Sequence, residues 1–193
     1  APDMATMLAV LTTDAEVDGE MAQRALRAAV DESFNRLSVD GCQSTNDTVI
    51  LLASGRGGPV DERDLTDAVT RACADLAMQM ADDAEGATKV VWVVVSGAAS
   101  DDEATRAARA VAESALVKCS FYGEDPYWGR IVSELGSAGV EFDPDRVTVA
   151  YGGTVVCSGG VAIDHDDKAV RRHLAGRQLR VEADLGIGSG TGR

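Results

Sequence analysis

One apolar run, VVWVVV at residues 90–95, constrains this chain more than any other stretch. It has no polar side to turn to water, and it is too short for most helices. It predicts a central β-strand buried on both faces, the pattern of a sheet covered by other layers. The flanking sequence supplies helices to cover it. Residues 19–36 place Ala22, Leu26, Ala29, Val30, Ser33, Phe34 and Leu37 on one helical face. A second helix starts at a cap, Asp61, with Glu62 and Asp64 in its first turn, and runs to about Asp83. Its stripe is Leu65, Val69, Ala72, Cys73, Leu76 and Met80. Ser100 and Glu103 form a capping box that opens a helix to about Lys118. In EDPYWGR (124–130), Asp125 as cap and Pro126 in the first turn predict a short helix, and another runs from Asp166 to about Leu174.

The remaining strands are shorter. Residues 5–13 and 48–53 read as strands, and RGGPVDERDL (56–65) as the loop leading to the Asp61 cap. VTVAYGGTVVCSGG (147–160) is a hairpin turning at Gly152-Gly153. QLRVEADL (178–185) alternates apolar and charged residues, a strand with one wet face. The tail GIGSGTGR has no packing of its own. Strands and helices follow neither a strict βαβ alternation nor an internal repeat. The expected class is α+β, helices covering a mixed sheet, in one structural unit.

Charge narrows the partners. The net charge of −14 argues against binding nucleic acid, which needs clustered Lys and Arg, and against an anionic membrane surface. No run of about 18 apolar residues is present for a membrane span, and no signal peptide is apparent. Cys42, Cys73, Cys119 and Cys157 lack CxxC spacing. Cys73 and Cys119 lie in helical apolar patterns and are expected to be buried free thiols of a reducing compartment, the cytoplasm.

Candidate chemistry is sparse. His165 and His173 are the only histidines, and the DHDD stretch (164–167) reads as a solvated turn or helix start rather than a metal site. No GxSxG elbow occurs, and GIGSGTG (186–192) lacks the Lys and following helix of a phosphate loop. Asp40, Asp47, Glu124 and Asp125 read as caps or turn formers. Glu85 is less ordinary: it sits just past a helix end, where the dipole disfavours a negative charge, and before Gly86. From the pattern it reads as a tolerated surface residue, though an unusual one. Thr6 is either a strand threonine or a nucleophile. A threonine freed at its amide carries an α-amine that can take the proton of its own hydroxyl, and needs no histidine.

Four stretches in order, MATMLAVLTTDA (4–15), SFNRLSVDGCQSTNDT (33–48), DAEGATK (83–89) and GEDPYWGRI (123–131), resemble the bifunctional glutamate N-acetyltransferase/ornithine acetyltransferase family of arginine biosynthesis. The resemblance spans nearly the whole chain. It implies a precursor that cuts itself between Ala5 and Thr6, the freed Thr6 becoming the nucleophile. Residues 1–5 would then end the upstream (alpha) piece, and 6–193 would be the beta-chain catalytic domain, truncated at its C-terminus. It implies acetyl transfer from N2-acetylornithine to glutamate through an acetyl-threonine, with Glu85 binding substrate. No cofactor or metal is implied, although acetyl-CoA serves some members as donor. The partners implied are the upstream piece, in a heterotetramer of two alpha and two beta pieces, and the two small-molecule substrates. The fold implied is an α-β-β-α sandwich shared with self-processing aminopeptidases. The oxyanion hole would lie in the upstream piece and further substrate contacts in a C-terminal segment, so this chain, uncleaved and alone, is expected to be inactive. Tyr127 departs from the family's usual Asn. The rival readings are a self-processing amidase or aminopeptidase of the same fold and a non-catalytic remnant.

Overall fold

The computed structural model of the chain describes residues 7–42 and 44–193. These divide into two compact units, Ala1–Ala84 and Glu85–Arg193, where the sequence reading expects one. Each has its own hydrophobic core.

In the first unit, β1 (Leu8–Glu16) pairs in parallel with β2 (Thr48–Pro59). Between them in sequence lies α1 (Gly19–Glu32), and α2 (Glu62–Asp82) follows. Alternation puts Ala9 and Leu11 on one face of β1, buried with Ala25 and Ala29 of α1 and Leu65, Val69, Cys73 and Ala77 of α2. Burying a Leu-sized side chain stabilises by roughly 1.5–3 kcal/mol, so this one face accounts for the docking of both helices. The helices start where side chains satisfy free N–H groups: the Asp18 carboxylate accepts from Met21 N–H (2.7 Å) and Asp61 from Arg63 N–H (2.8 Å). The predicted loop at 56–65 is corrected, because β2 continues to Pro59. Pairing lapses after Thr13 and resumes at Ala15 with Gly58, and the intervening bulge uses Gly55 and Gly58 at positive φ.

In the second unit, β3 (Val90–Ala98) lies in a six-stranded sheet. The other strands are β4 (Thr148–Tyr151), β5 (Thr154–Ser158), β6 (Val161–Ala162), β7 (Gln178–Asp184) and β8 (Gly190–Gly192), in the order β6-β5-β4-β7-β3-β8. β3 and β7 are parallel and the other pairs antiparallel, so the sheet is mixed. The helices are α3 (Asp101–Glu113), α4 (Ala115–Tyr122), α5 (Trp128–Ser137) and α6 (Asp167–Leu174). Ala104, Ala108 and Val111 of α3, Ile131 and Leu135 of α5, and Val170 and Leu174 of α6 share a core with Val93, Val95, Val149 and Val181 of the sheet. Helices and mixed sheets make the chain α+β, as expected.

The hairpin turns at Gly152 (φ 56°) and Gly153 (φ 81°), the two positive-φ positions of a tight primed turn. Several local expectations are corrected. β3 is not buried on both faces: Val93 and Val95 are buried, but Trp92 is exposed with the Arg193 guanidinium 5.6 Å from its ring centroid. The helix predicted to reach Lys118 ends at Glu113, because Ser114 is extended (ψ 121°) and caps α4 instead, accepting from Val117 N–H. The capping box is half made: Ser100 Oγ accepts from Glu103 N–H, while Glu103 accepts from Glu141 N–H. Asp125 does not cap α5. It precedes Pro126, which disfavours helical backbone at the residue before it, and the helix starts after Tyr127. The tail is a strand: β8 pairs with β3 and packs on α3. Glycine permits this, since a Cβ on Gly190 or Gly192 would meet the backbone of Ser100 or of Ala104 and Thr105. Cys119 is exposed, and the two buried thiols are Cys73 and Cys157.

Candidate functional site

Ala5 and Thr6 lie outside the described residues. The residue after them is held at both backbone groups. Met7 N–H donates to Asp47 Oδ1 (2.8 Å), and Met7 C=O accepts from Thr48 N–H (2.9 Å). Asp47, read from sequence as a turn former, therefore ties the start of β1 to the start of β2.

Glu85 opens the second unit on an exposed turn. Gly86 takes φ 72°, which glycine adopts without a Cβ penalty. The turn is pinned downstream by cations. Arg177 Nη1 donates to Ala87 C=O (2.9 Å). Lys89 Nζ donates to Leu174 C=O (2.7 Å) and Gly176 C=O (3.0 Å) and pairs with Glu124 Oε1 (3.3 Å). The Lys89 side chain is only 12% exposed. It sits at the C-terminus of α6, where a positive charge opposes the partial negative charge of the helix end. Val90 N–H then donates to Arg177 C=O (2.8 Å) and the chain enters β3. Among the described residues the Glu85 carboxylate has no hydrogen bond or ion pair. A held backbone carrying an unpaired, hydrated carboxylate is suited to an ammonium group, which it can meet without breaking a contact of its own.

Lys89 also joins two of the sequence blocks, DAEGATK and GEDPYWGRI, through Glu124, the only non-glycine at positive φ among the described residues (55°). Beyond Glu124 the second block is held by Arg130. Its Nη1 donates to Ser120 Oγ and lies 3.7 Å from Asp125 Oδ2, and its guanidinium lies 5.8 Å from the Tyr127 ring centroid. Burial pushes the Tyr151 phenol well above its ordinary range; nearby Asp125 adds to the rise and Arg130 opposes it. The sequence reading missed Lys89, Arg177 and Arg130 as positioning residues. Lys89 stood in a quoted block as the one cation between a helix end and the apolar run.

The histidines serve the backbone. His173 Nε2 accepts from Arg180 N–H (2.9 Å), and its ring packs against Gly152. His165 Nδ1 lies 2.7 Å from Ile163 C=O, and Asp166 caps α6. Among the described residues no three His, Cys, Asp or Glu side chains are grouped so as to hold a metal ion, and no helix is long and apolar enough to cross a membrane.

A family model described as the ArgJ family matches residues 1–193. An arginine biosynthesis bifunctional protein ArgJ of Thermobifida fusca is 48% identical over 190 residues, covering 98% of this chain and 49% of that protein. The protein of the same name from Mycolicibacterium paratuberculosis is 49% identical, covering 98% and 46%. Among solved structures, the crystal structure of the arginine biosynthesis bifunctional protein argJ of Bacillus halodurans superposes with a TM-score of 0.91 at 38% identity, covering 96% of this chain and 91% of that one. The chain spans about half the length of the curated relatives it matches. It belongs to the ArgJ family, the family its four sequence blocks resemble.

Proposed function

We propose that this member of the ArgJ family is the nucleophile-bearing piece of an enzyme that moves an acetyl group from N2-acetylornithine to glutamate in arginine biosynthesis. The family match over residues 1–193 carries the reading. The proposed nucleophile is Thr6, freed by cleavage between Ala5 and Thr6. One further observation favours a divided precursor. The curated relatives are matched over 46–49% of their length, but the Bacillus halodurans chain over 91% of its own. A family chain of about this size therefore exists as a separate polypeptide in that crystal.

In the proposed mechanism the freed α-amine of Thr6, with an ordinary pKa near 8, takes the proton of its own hydroxyl. The oxygen attacks the acetyl carbonyl, and the tetrahedral oxyanion is met by donors from the other half of the family's polypeptide. Such donors contribute roughly 3–4 kcal/mol each in other enzymes. The C–N bond to ornithine breaks, the leaving amine takes the proton, and acetyl-Thr6 remains. The glutamate amine attacks the ester, N-acetylglutamate leaves, and the Thr6 hydroxyl is restored. Glu85 would receive an ammonium group of ornithine. Acetyl-CoA would enter only as an alternative acetyl donor. The working assembly would be two copies of each piece, in the cytoplasm, and this chain alone and uncleaved would be inactive.

The test is an intact mass of the full-length product under denaturing conditions beside Thr6→Ala. Two pieces in the wild type, broken between Ala5 and Thr6, and one in the variant are expected. Incubation with N2-acetylornithine alone should then add one acetyl group to the Thr6 peptide. A single chain in both, or an active enzyme that never carries acetyl on Thr6, would overturn the reading. Release of ornithine that depends on glutamate, with little hydrolysis, separates the transferase from an amidase.

A further inference from the structure

Met7, just before β1, is held on three sides. Its side chain packs against the core that holds Ala9 and Leu11. Its C=O accepts from Thr48 N–H (2.9 Å), beside the first pair of the parallel register, Leu8 with Thr48. Its N–H donates to Asp47 Oδ1 (2.8 Å). This last bond is the unusual one. It lies at an exposed sheet end, where water could serve the N–H instead. A carboxylate takes that place, and hydrogen bonds to a charged acceptor are shorter and stronger than neutral ones.

The loop before β2 aims that carboxylate. Cys42 N–H donates to Asp40 Oδ1 (2.9 Å), Ser44 Oγ to Asn46 Oδ1 (3.0 Å) and Thr48 Oγ1 to Asn46 C=O (3.2 Å). Asp47 thus stands between an internally bonded loop and the paired start of β2. Among the described residues its carboxylate has no partner besides Met7 N–H.

The amide that Asp47 holds belongs to the Thr6–Met7 peptide unit. A peptide unit is planar, and its six atoms include the α-carbon of the residue before the N–H. We propose that Asp47 is a positioning residue for Thr6: through Met7 N–H it fixes the plane from which the Thr6 hydroxyl is presented. The inference rests on the reading of Thr6 given above, which assigns that hydroxyl two attacks. In the cut, its oxygen bonds to the Ala5 carbonyl carbon and the Ala5–Thr6 C–N bond breaks. The freed nitrogen takes the hydroxyl proton, and water hydrolyses the ester to the Ala5 carboxylate and the Thr6 hydroxyl. In transfer, the same oxygen bonds to the acetyl carbonyl carbon. Both attacks start from one plane, and a misplacement of about 1 Å can cost about a hundredfold. Loss of the Asp47 acceptor should therefore slow both.

The experiment uses the full-length product with Asp47→Ala and Asp47→Asn. Asp18→Ala is the control, because it removes a bond of the same kind, from Met21 N–H (2.7 Å), in the same unit. Asn keeps an acceptor of the same reach without the charge. Intact mass under denaturing conditions gives the uncleaved share. Mass spectrometry of the Thr6 peptide gives its rate of acetylation by N2-acetylornithine with glutamate left out. In Asp47→Ala, uncleaved chain should accumulate, and the maximal acetylation rate of the cleaved fraction should fall about tenfold to a hundredfold. The half-saturating concentration of N2-acetylornithine should stay within about threefold. Asp47→Asn should restore both reactions to within about threefold of the wild type, and Asp18→Ala should spare them. If Asp47→Ala does not assemble, Asp47→Glu, whose acceptor lies one methylene further out, replaces it with the same expectation. Wild-type rates in that variant, an Asn variant as slow as it, or an equal loss in Asp18→Ala would each overturn the positioning role. With Thr6 still cleaved and acetylated in the wild type, the acetyl-transfer reading would then stand. A wild type never cut before Thr6 or never acetylated on it would remove that reading and this inference with it.

Discussion

Lys89→Met removes a partly buried charged donor while keeping most of the side chain's volume. Two carbonyls at the end of α6, Leu174 and Gly176, lose their donor. A hydrogen bond from a charged group contributes about 1.5–3 kcal/mol, and a cation at a partly buried helix C-terminus up to about 2 kcal/mol. These overlap, because the same ammonium supplies both. The Glu124 pair adds little, since that carboxylate is half exposed. Water can reach the freed carbonyls in part, which lowers the sum. The expected loss is about 3 kcal/mol for the second unit, about a hundredfold in its opening equilibrium. Native-state hydrogen exchange reads this unit by unit. Amides of Val93 and Val181, in the core of the second unit, should exchange about a hundredfold faster. Amides of Leu11 and Val69, in the core of the first, should not change. Acceleration below about threefold at Val93, roughly 0.6 kcal/mol, would refute the argument that Lys89 holds the β3 entry and the α6 end together. Equal acceleration in both units would refute the independence of their cores.

If Glu85 binds substrate as proposed, Glu85→Gln should lower kcat/KM of the assembled enzyme by about tenfold to a hundredfold, and leave the unfolding midpoint nearly unchanged because Glu85 is exposed and unpaired among the described residues; a matched loss of stability would make the residue structural. Gly192→Val should destabilise the second unit by about 1–3 kcal/mol or more, seen in urea melts, since the new side chain meets the α3 backbone at Ala104 and Thr105. With a thiol reagent at pH 8, Cys42 and Cys119 should react at once, while Cys73 and Cys157 should wait for unfolding. Burial raises the Cys73 and Cys157 thiols, so their contribution to stability is fully present below about pH 9 and is lost as pH rises toward the folded-state values. A melting temperature that climbs above pH 9 would contradict that sign.

What the sequence revealed follows the range of the interactions. The β3 run, the Gly152-Gly153 hairpin and the caps Asp61 and Asp166 depend on neighbours within a few residues, and they are present. Asp125 fails as a cap for an equally local reason, the conformational limit imposed by Pro126, which outweighs its capping preference. The tail's strand is not legible locally, because its glycines are needed for close approach to Ser100 and α3, which lie far away in sequence. The candidate site shows the same division. Glu85 was reached through resemblance and a local oddity of charge. The groups that hold its turn were not, since Arg177 and Ala87 are 90 residues apart and Lys89 and Leu174 are 85 apart. Nor does apolar periodicity separate a face covered by the chain's own helices from one left bare: Leu8 and Val10 alternate as regularly as Ala9 and Leu11.

The Met7 contacts and the pinned Glu85 turn would each serve the proposed mechanism. An acyl transfer through a threonine needs its nucleophile, its oxyanion donors and its substrate carboxylate held to within a fraction of an ångström. If the chain is cut before Thr6, as proposed, Thr6 loses a covalent restraint, and the next residue inward can supply one. Met7 has it, with donor and acceptor both bonded across to residues 47 and 48. Glu85 has no partner to order it, and its backbone is fixed instead by Arg177 and Lys89, cations aimed at carbonyls rather than at the carboxylate. In that way the turn is rigid while the Glu85 charge stays unspent. Had either cation bonded the carboxylate itself, the ammonium proposed to bind there would have to displace it. If Glu85 binds substrate as proposed, Arg177→Met should raise KM for N2-acetylornithine while sparing kcat, as the turn loosens around a carboxylate that keeps its charge; a fall in kcat with KM unchanged would place Arg177 in the chemistry and not behind it.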